Sequence, residues 1–269
     1  MTKSPLVRGI AVAISTIGVI FMMTTNGNPA VSFKLKPPQH YFADSKSVAL
    51  LGTAMAGDLQ KAKWLVAAGA NPNDEGPRDN IYNRLRLLHY AIAANSQEGV
   101  KVLIEVGADP ELSAEGFGRS FLFAMTLKNI KMLSLLLDLR PISTLSKDTM
   151  EYILFESVTD GCSKCLELYL DRGAPIDFPD EAGYTVLMRA MDSQEYEMAE
   201  WLLSRGASVH VEAGGGMTPA YSVQFHLNKF KPGSPTYNKV LHLKTLMEER
   251  GAIFPAQTPA EVRATREKQ

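Results

Sequence analysis

The dipeptide Gly-Ala returns five times along this chain, at Gly69, Gly107, Gly173, Gly206 and Gly251. The intervals are 38, 66, 33 and 45 residues, and 66 is twice 33. A fixed period of this size is the mark of a unit that cannot bury its own apolar face and must stack on copies of itself. Four and five places before every Gly-Ala stand apolar or aromatic residues: Trp64-Leu65, Val102-Leu103, Leu168-Tyr169, Trp201-Leu202 and Leu246-Met247. This pattern predicts an amphipathic helix whose inner face supplies those pairs, closed by a glycine in the left-handed conformation, with a small Ala where the next unit packs. A turn follows, as in Asn71-Pro72-Asn73 and Asp109-Pro110-Glu111.

A shorter apolar helix is expected before each of these. The predicted pairs are 47–56 with 59–68, 88–94 with 97–106, 150–159 with 162–171, and 185–191 with 196–204. The double interval hides a degenerate third unit, Gly118–Ala124 then Asn129–Leu137, in which Asp138-Leu139-Arg140-Pro141 replaces Gly-Ala. In the last unit, Phe230 to Thr236 reads as a lengthened loop between the helices.

Three segments open a unit in a common way: Leu87-Leu88-His89-Tyr90-Ala91, Thr185-Val186-Leu187-Met188-Arg189-Ala190 and Thr218-Pro219-Ala220-Tyr221. With the Gly-Ala caps, they make residues 45–254 resemble the ankyrin repeat family, whose units begin Thr-Pro-Leu-His-x-Ala. The resemblance implies an all-α ankyrin-repeat solenoid of about six helix-turn-helix repeats with finger loops. It also implies that His89 hydrogen-bonds neighbouring turns.

Ahead of the repeats, Ile10 to Met23 runs without a charge, Asn, Gln or Pro, after the basic Lys3 and Arg8. Such a run reads as an export signal or a short transmembrane anchor, and residues 1–25 are taken as an uncleaved signal anchor, with a cleaved peptide as the alternative. Membrane contact through residues 9–25 would leave the repeats on the periplasmic side of an inner membrane; cleavage would leave them soluble in the periplasm. Residues 26–44, with Pro37-Pro38, read as a stiff linker, and 255–269 as a polar C-terminal tail.

Chemistry is sparse. Twenty-eight Lys and Arg against 29 Asp and Glu leave a formal charge of -1, so no basic field recruits nucleic acid. The five histidines stand singly, no phosphate loop or nucleophile elbow follows a strand pattern, and the acidic residues are scattered. Neither a metal site, a cofactor nor a catalytic set is expected, and the chain reads as a non-enzyme. Cys162 and Cys165 have the spacing of a redox pair. Ordinary packing residues are the first reading and a disulfide the second, because redox catalysis lacks a preceding strand and two thiolates do not complete a zinc site.

Protein binding remains. The finger between units one and two is enlarged to Asp74–Arg84, which accounts for the 38-residue interval. Its Arg78, Tyr82 and Arg84 are of types favoured in interface hot spots. Tyr90, Phe117, Arg119, Phe123, Tyr184 and Arg189 complete the candidate partner-binding set. Taken with the anchor, segments 50–58, 69–73 and 88–93 resemble the membrane-anchored or periplasmic ankyrin proteins of Gram-negative bacteria that act as immunity proteins for type VI secretion lipase effectors. That resemblance implies a monomer that binds and neutralises a secreted lipase. The rival readings are a membrane-anchored adaptor organising an envelope complex and a redox helper using Cys162 and Cys165.

Overall fold

The computed structural model describes residues 7–15, 18–25, 31–77 and 84–268, with side chains from residue 35 onward. Two compact units divide the chain, Met1–Thr149 and Met150–Gln269.

In the first unit, strands β1 (Val7–Ser15), β2 (Gly18–Thr25) and β3 (Val31–Lys34) form an antiparallel sheet in the order β1-β2-β3, with Ser15 opposite Gly18 and Met23 opposite Val31. The expected single span over residues 9–25 is therefore replaced by two paired strands, and no helix among the described residues is long and apolar enough to cross a membrane. Composition gives the reason: the run is rich in Ile and Val, whose branched side chains favour an extended backbone over a helix. Three helix pairs follow: α1 (Ser45–Met55) with α2 (Leu59–Ala67), α3 (Leu87–Ala93) with α4 (Gln97–Glu105), and α5 (Ser120–Thr126) with α6 (Ile130–Leu139). Helix α7 (Lys147–Thr159) contains the boundary between the units.

Helix α8 (Ser163–Asp171) completes repeat four in the second unit. There the pairs α9 (Val186–Asp192) with α10 (Tyr196–Ser204) and α11 (Pro219–Lys229) with α12 (Pro235–Glu248) precede a final α13 (Pro259–Arg266).

The predicted caps form as drawn from the sequence. At Gly69 the N–H donates to Val66 O and the next N–H, Ala70, donates to Leu65 O, both at 2.9 Å, a Schellman closure that satisfies two orphan carbonyls. Gly107, Gly173, Gly206 and Gly251 repeat it, all five with φ between 88° and 102°. In repeat three Arg140 takes this place in an extended conformation, with φ −132°, and only a single N–H to Leu136 O closes the helix. Of each residue pair ahead of the cap, the second is core: Leu103, Tyr169, Leu202 and Met247 have no exposed surface or almost none. The first is not always so. Trp64 is 65% exposed and Trp201 half-buried under Arg205, so the apolar stripe is one residue narrower than the sequence pattern implied.

Two further regions depart from expectation. The linker is seated: Tyr41 and Phe42 are each 2% exposed, against Tyr90. The end of the chain is not a loose tail, since Thr258 and Glu261 make a capping box at the start of α13 and Val262 is buried. Arg263 and Arg266 donate to the carbonyls of Gly215 and Ala213. A Cβ on Gly216 would run into the Pro259 carbonyl, so the close approach of α13 requires glycine here. In repeat six the extra residues went into longer helices of 11 and 14 residues and into the loop between them, which has five residues where the other pairs have three.

Candidate protein-binding surface

Tyr90, Phe123, Glu156 and Arg189 lie 33 residues apart, each five places before a left-handed turn residue: Asn95, Lys128, Gly161 and Gln194. They are one structural position read in four successive repeats, yet their surroundings differ.

In the first unit the position is spent on packing. Tyr90 is 6% exposed; its hydroxyl donates to Lys36 O at 2.9 Å and its ring meets Tyr41 edge-on at 5.7 Å. Burial pushes its pKa to about 12, with Tyr41 adding to the shift. Phe123 is 2% exposed and packs on His89 and Phe117 at 5.3 and 5.4 Å. Both leave the candidate contact set, because their side chains are inside. Phe117 is half-buried by that same contact, and Arg119 uses its guanidinium on the carbonyls of Glu111 and Asp148.

His89 does what the resemblance implied. Its Nε2 lies 2.9 Å from Gly118 O and donates to it, which leaves Nδ1 buried without a partner among the described residues. Burial pushes its pKa down to about 4 against the opposing pull of that carbonyl, so the ring is neutral. Asn73 joins the fingers of repeats one and two, its Oδ1 accepting from Asp109 N at 2.8 Å and its Nδ2 donating to Gly107 O at 3.0 Å. Four places after the next cap glycine, Glu111 accepts from Ser146 and Thr149. Burial raises its pKa, but those hydroxyl and N–H donors outweigh it and hold the carboxyl below its ordinary range.

Arg84 roots the enlarged finger. Its guanidinium bridges Glu75 and Glu115 with the side chain only 11% exposed, and Arg86 adds a 2.8 Å pair to Glu75 and donates to Asn73 O and Ser113 O. Arg84 is a clamp, not a contact residue. Arg78 and Tyr82 lie outside the described residues.

In the second unit the position is open. Arg189 stands 5.4 Å over the Phe155 ring, 3.7 Å from Asp180, with its side chain 41% exposed. Asp180 is held by the N–H groups of Ala182 and Tyr184 at 2.9 and 2.8 Å. Around them Glu156, Asp192 and Tyr184 all have raised pKa values, chiefly from lost solvation. Asp160 adds to the shift of Glu156, while Arg189 opposes all three. Glu156 and Asp192 were absent from the sequence-based set, though the 33-residue spacing points from Arg189 to Glu156. The arrangement is a mixed-charge and aromatic notch suited to polar recognition. Among the described residues no three His, Cys, Asp or Glu side chains are grouped to hold a metal.

Stacked helix pairs with left-handed caps and finger turns define a helical-repeat scaffold, and a family model for ankyrin repeats in three copies matches residues 121–213. Residues 121–213 are thus ankyrin repeats, and the helix pairs on either side of them repeat the same fold. It is 27% identical over 151 residues to the B-cell lymphoma 3 protein homolog of Mus musculus, covering 53% of this chain and 34% of that protein. To transient receptor potential cation channel subfamily A member 1 of Homo sapiens it is 26% identical over 160 residues, 56% of this chain and 14% of that one. The chain thus spans about a third of one relative's length and a seventh of the other's. Its fold resembles the crystal structure of the ankyrin repeat domain of Bcl-3 with a TM-score of 0.57 and 23% identity, covering 82% of this chain and 94% of that one.

Proposed function

We propose that this chain is a stoichiometric protein-binding scaffold, and that it works as an immunity protein that holds and neutralises a lipase-class toxin in the periplasm. The observation that carries the binding role is the open notch around Arg189. A guanidinium stacked on Phe155 and tied to Asp180 only at 3.7 Å is preorganised and unsaturated, the condition under which Arg becomes a hot spot. A solenoid buries its apolar surface between neighbours, so what its inner helices and fingers leave exposed is free for a partner. One feature supports the compartment: the bond between Cys162 and Cys165, since disulfides persist in oxidising environments. The toxin class rests on the resemblance of segments 50–58, 69–73 and 88–93 to the immunity proteins.

Capture with the full chain from envelope extracts, followed by a lipase assay on whatever co-purifies at equal stoichiometry, tests the reading. A hydrolase recovered one to one and silenced by the chain is the expected result. Recovery of resident envelope proteins alone, with lipase activity unaffected, would replace immunity by the adaptor role.

A further inference from the structure

Four of the helices that stand second in their pairs, α2, α4, α6 and α12, open on the same device. The side chain of Asp58 accepts from Lys61 N, Ser96 from Gly99 N, Asn129 from Met132 N and Ser234 from Tyr237 N: the N-cap residue satisfies the N–H three places on. Helix α8 departs from this. Its N-cap is Cys162, which makes no capping hydrogen bond, and the residue three places on is Cys165, to which it is joined by a disulfide with Cα atoms 5.3 Å apart. In register, Cys162 stands where Ser96 and Asn129 stand, 33 residues from its neighbour Asn129 and 66 from Ser96. The covalent bond therefore links the same two positions that four other repeats link by a hydrogen bond; in repeat five the N-cap Glu195 makes no side-chain bond and carries no covalent substitute.

The structure assigns this disulfide as a redox modification site: a covalent helix cap, open to a dithiol reductant, whose oxidation state sets the local stability of repeat four. The two sulfurs are unequal. Cys162 is 7% exposed and Cys165 has no exposed surface, so exchange enters at Cys162. A thiolate of the dithiol bonds to Cys162 Sγ, the Cys162–Cys165 bond breaks, and Cys165 leaves as a thiolate at the start of α8. The second thiol of the reagent then closes the reagent's own disulfide and releases Cys162. Two electrons and two protons pass from the dithiol to the pair. A thiol is a weak acceptor, so reduced Cys162 replaces the lost staple poorly, and the first turn of α8 loosens. Repeat four also carries Glu156, beside Arg189, so its order bears on the notch.

The test uses the full chain, alkylation of thiols and amide exchange over residues 163–166, with and without dithiothreitol. Without reductant neither cysteine should alkylate; with it, both should, and exchange should quicken roughly fivefold, the value of a cap of about 1 kcal/mol. Cys162→Ser with Cys165→Ala should keep the slow rate whether or not reductant is present, since Ser restores the cap seen at Ser96. Cys162→Ala with Cys165→Ala should match the reduced wild type. Thiols that alkylate without reductant, exchange unmoved by reduction, or a Ser variant no slower than the Ala variant would each overturn the assignment. If neither double variant folds, the wild-type comparison decides alone.

Discussion

Helices α3 and α9 have the same length and register, and they end up as opposites. All seven residues of α3 are buried, whereas α9 leaves Arg189 and Asp192 in contact with solvent. The backbone does not make the difference. Residues 36–42 lie against Tyr90 in repeat two, and its buried surface is an aromatic cluster; in repeat five the same position holds a guanidinium with acidic neighbours. A repeat array with uniform caps can thus present a surface at one place and consume it at another, through a single variable position per repeat.

The most damaging way to break the comparison is Tyr90→Ala. Removing a ring that is 6% exposed leaves a cavity and strands the Lys36 carbonyl, so urea unfolding should show a loss of about 3–5 kcal/mol. Arg189→Ala should cost under about 1 kcal/mol in the same experiment. Equal losses would mean that the two helices are not buried differently in solution.

Acid sharpens the contrast next. His89 titrates at about 4 in the fold and near 6.5 when unfolded, so below pH 6.5 the unfolded chain binds a proton that the fold refuses. Its contribution is complete above pH 6.5 and is lost as pH falls toward 4, about 3 kcal/mol in all. Repeat five carries Met188 at this place and has no such term. The variant His89→Met should be less stable at pH 7 but show a flatter slope between pH 6.5 and 4. An unchanged slope would exonerate the histidine.

The caps, the helix pairs and even the capless third repeat were legible because they rest on local chemistry. A glycine that must be left-handed and an apolar residue one turn before it recur at fixed spacing, and Arg140 falls where the missing glycine belongs. What escaped was set by contacts distant in sequence. Tyr90 looks like a contact residue until the Tyr41–Phe42 segment lies on it, and Arg84 until Glu115, 31 residues on, takes its charge. Residues 255–269 read as a tail because the capping box at Thr258 and Glu261 is followed by only one buried apolar residue, Val262. The cysteine pair was legible as a spacing, but its meaning appears only against the caps at Asp58, Ser96 and Asn129.

On the open side of the comparison, Arg189→Ala should weaken binding of the captured partner by about 2 kcal/mol or more in calorimetry, if the notch is the hot spot proposed. The smallest effect belongs to its neighbour. Asp192 carries a raised pKa because its carboxyl has lost solvent, a cost that the attraction to Arg189 only partly offsets. A carboxylate of this kind destabilises the fold when ionised, and stability is regained as pH falls through its folded pKa. Asp192→Asn should therefore leave the fold unchanged or more stable at pH 7, by no more than about 0.5 kcal/mol, since the loss of solvent is only partial and water still screens the charge. In binding the same change reports on the partner. If a cation of the partner seats beside Asp192, affinity falls with the lost charge; if the partner offers a carboxylate to Arg189, affinity rises. The sign of that small shift, measured at two ionic strengths, identifies the charge that the notch receives.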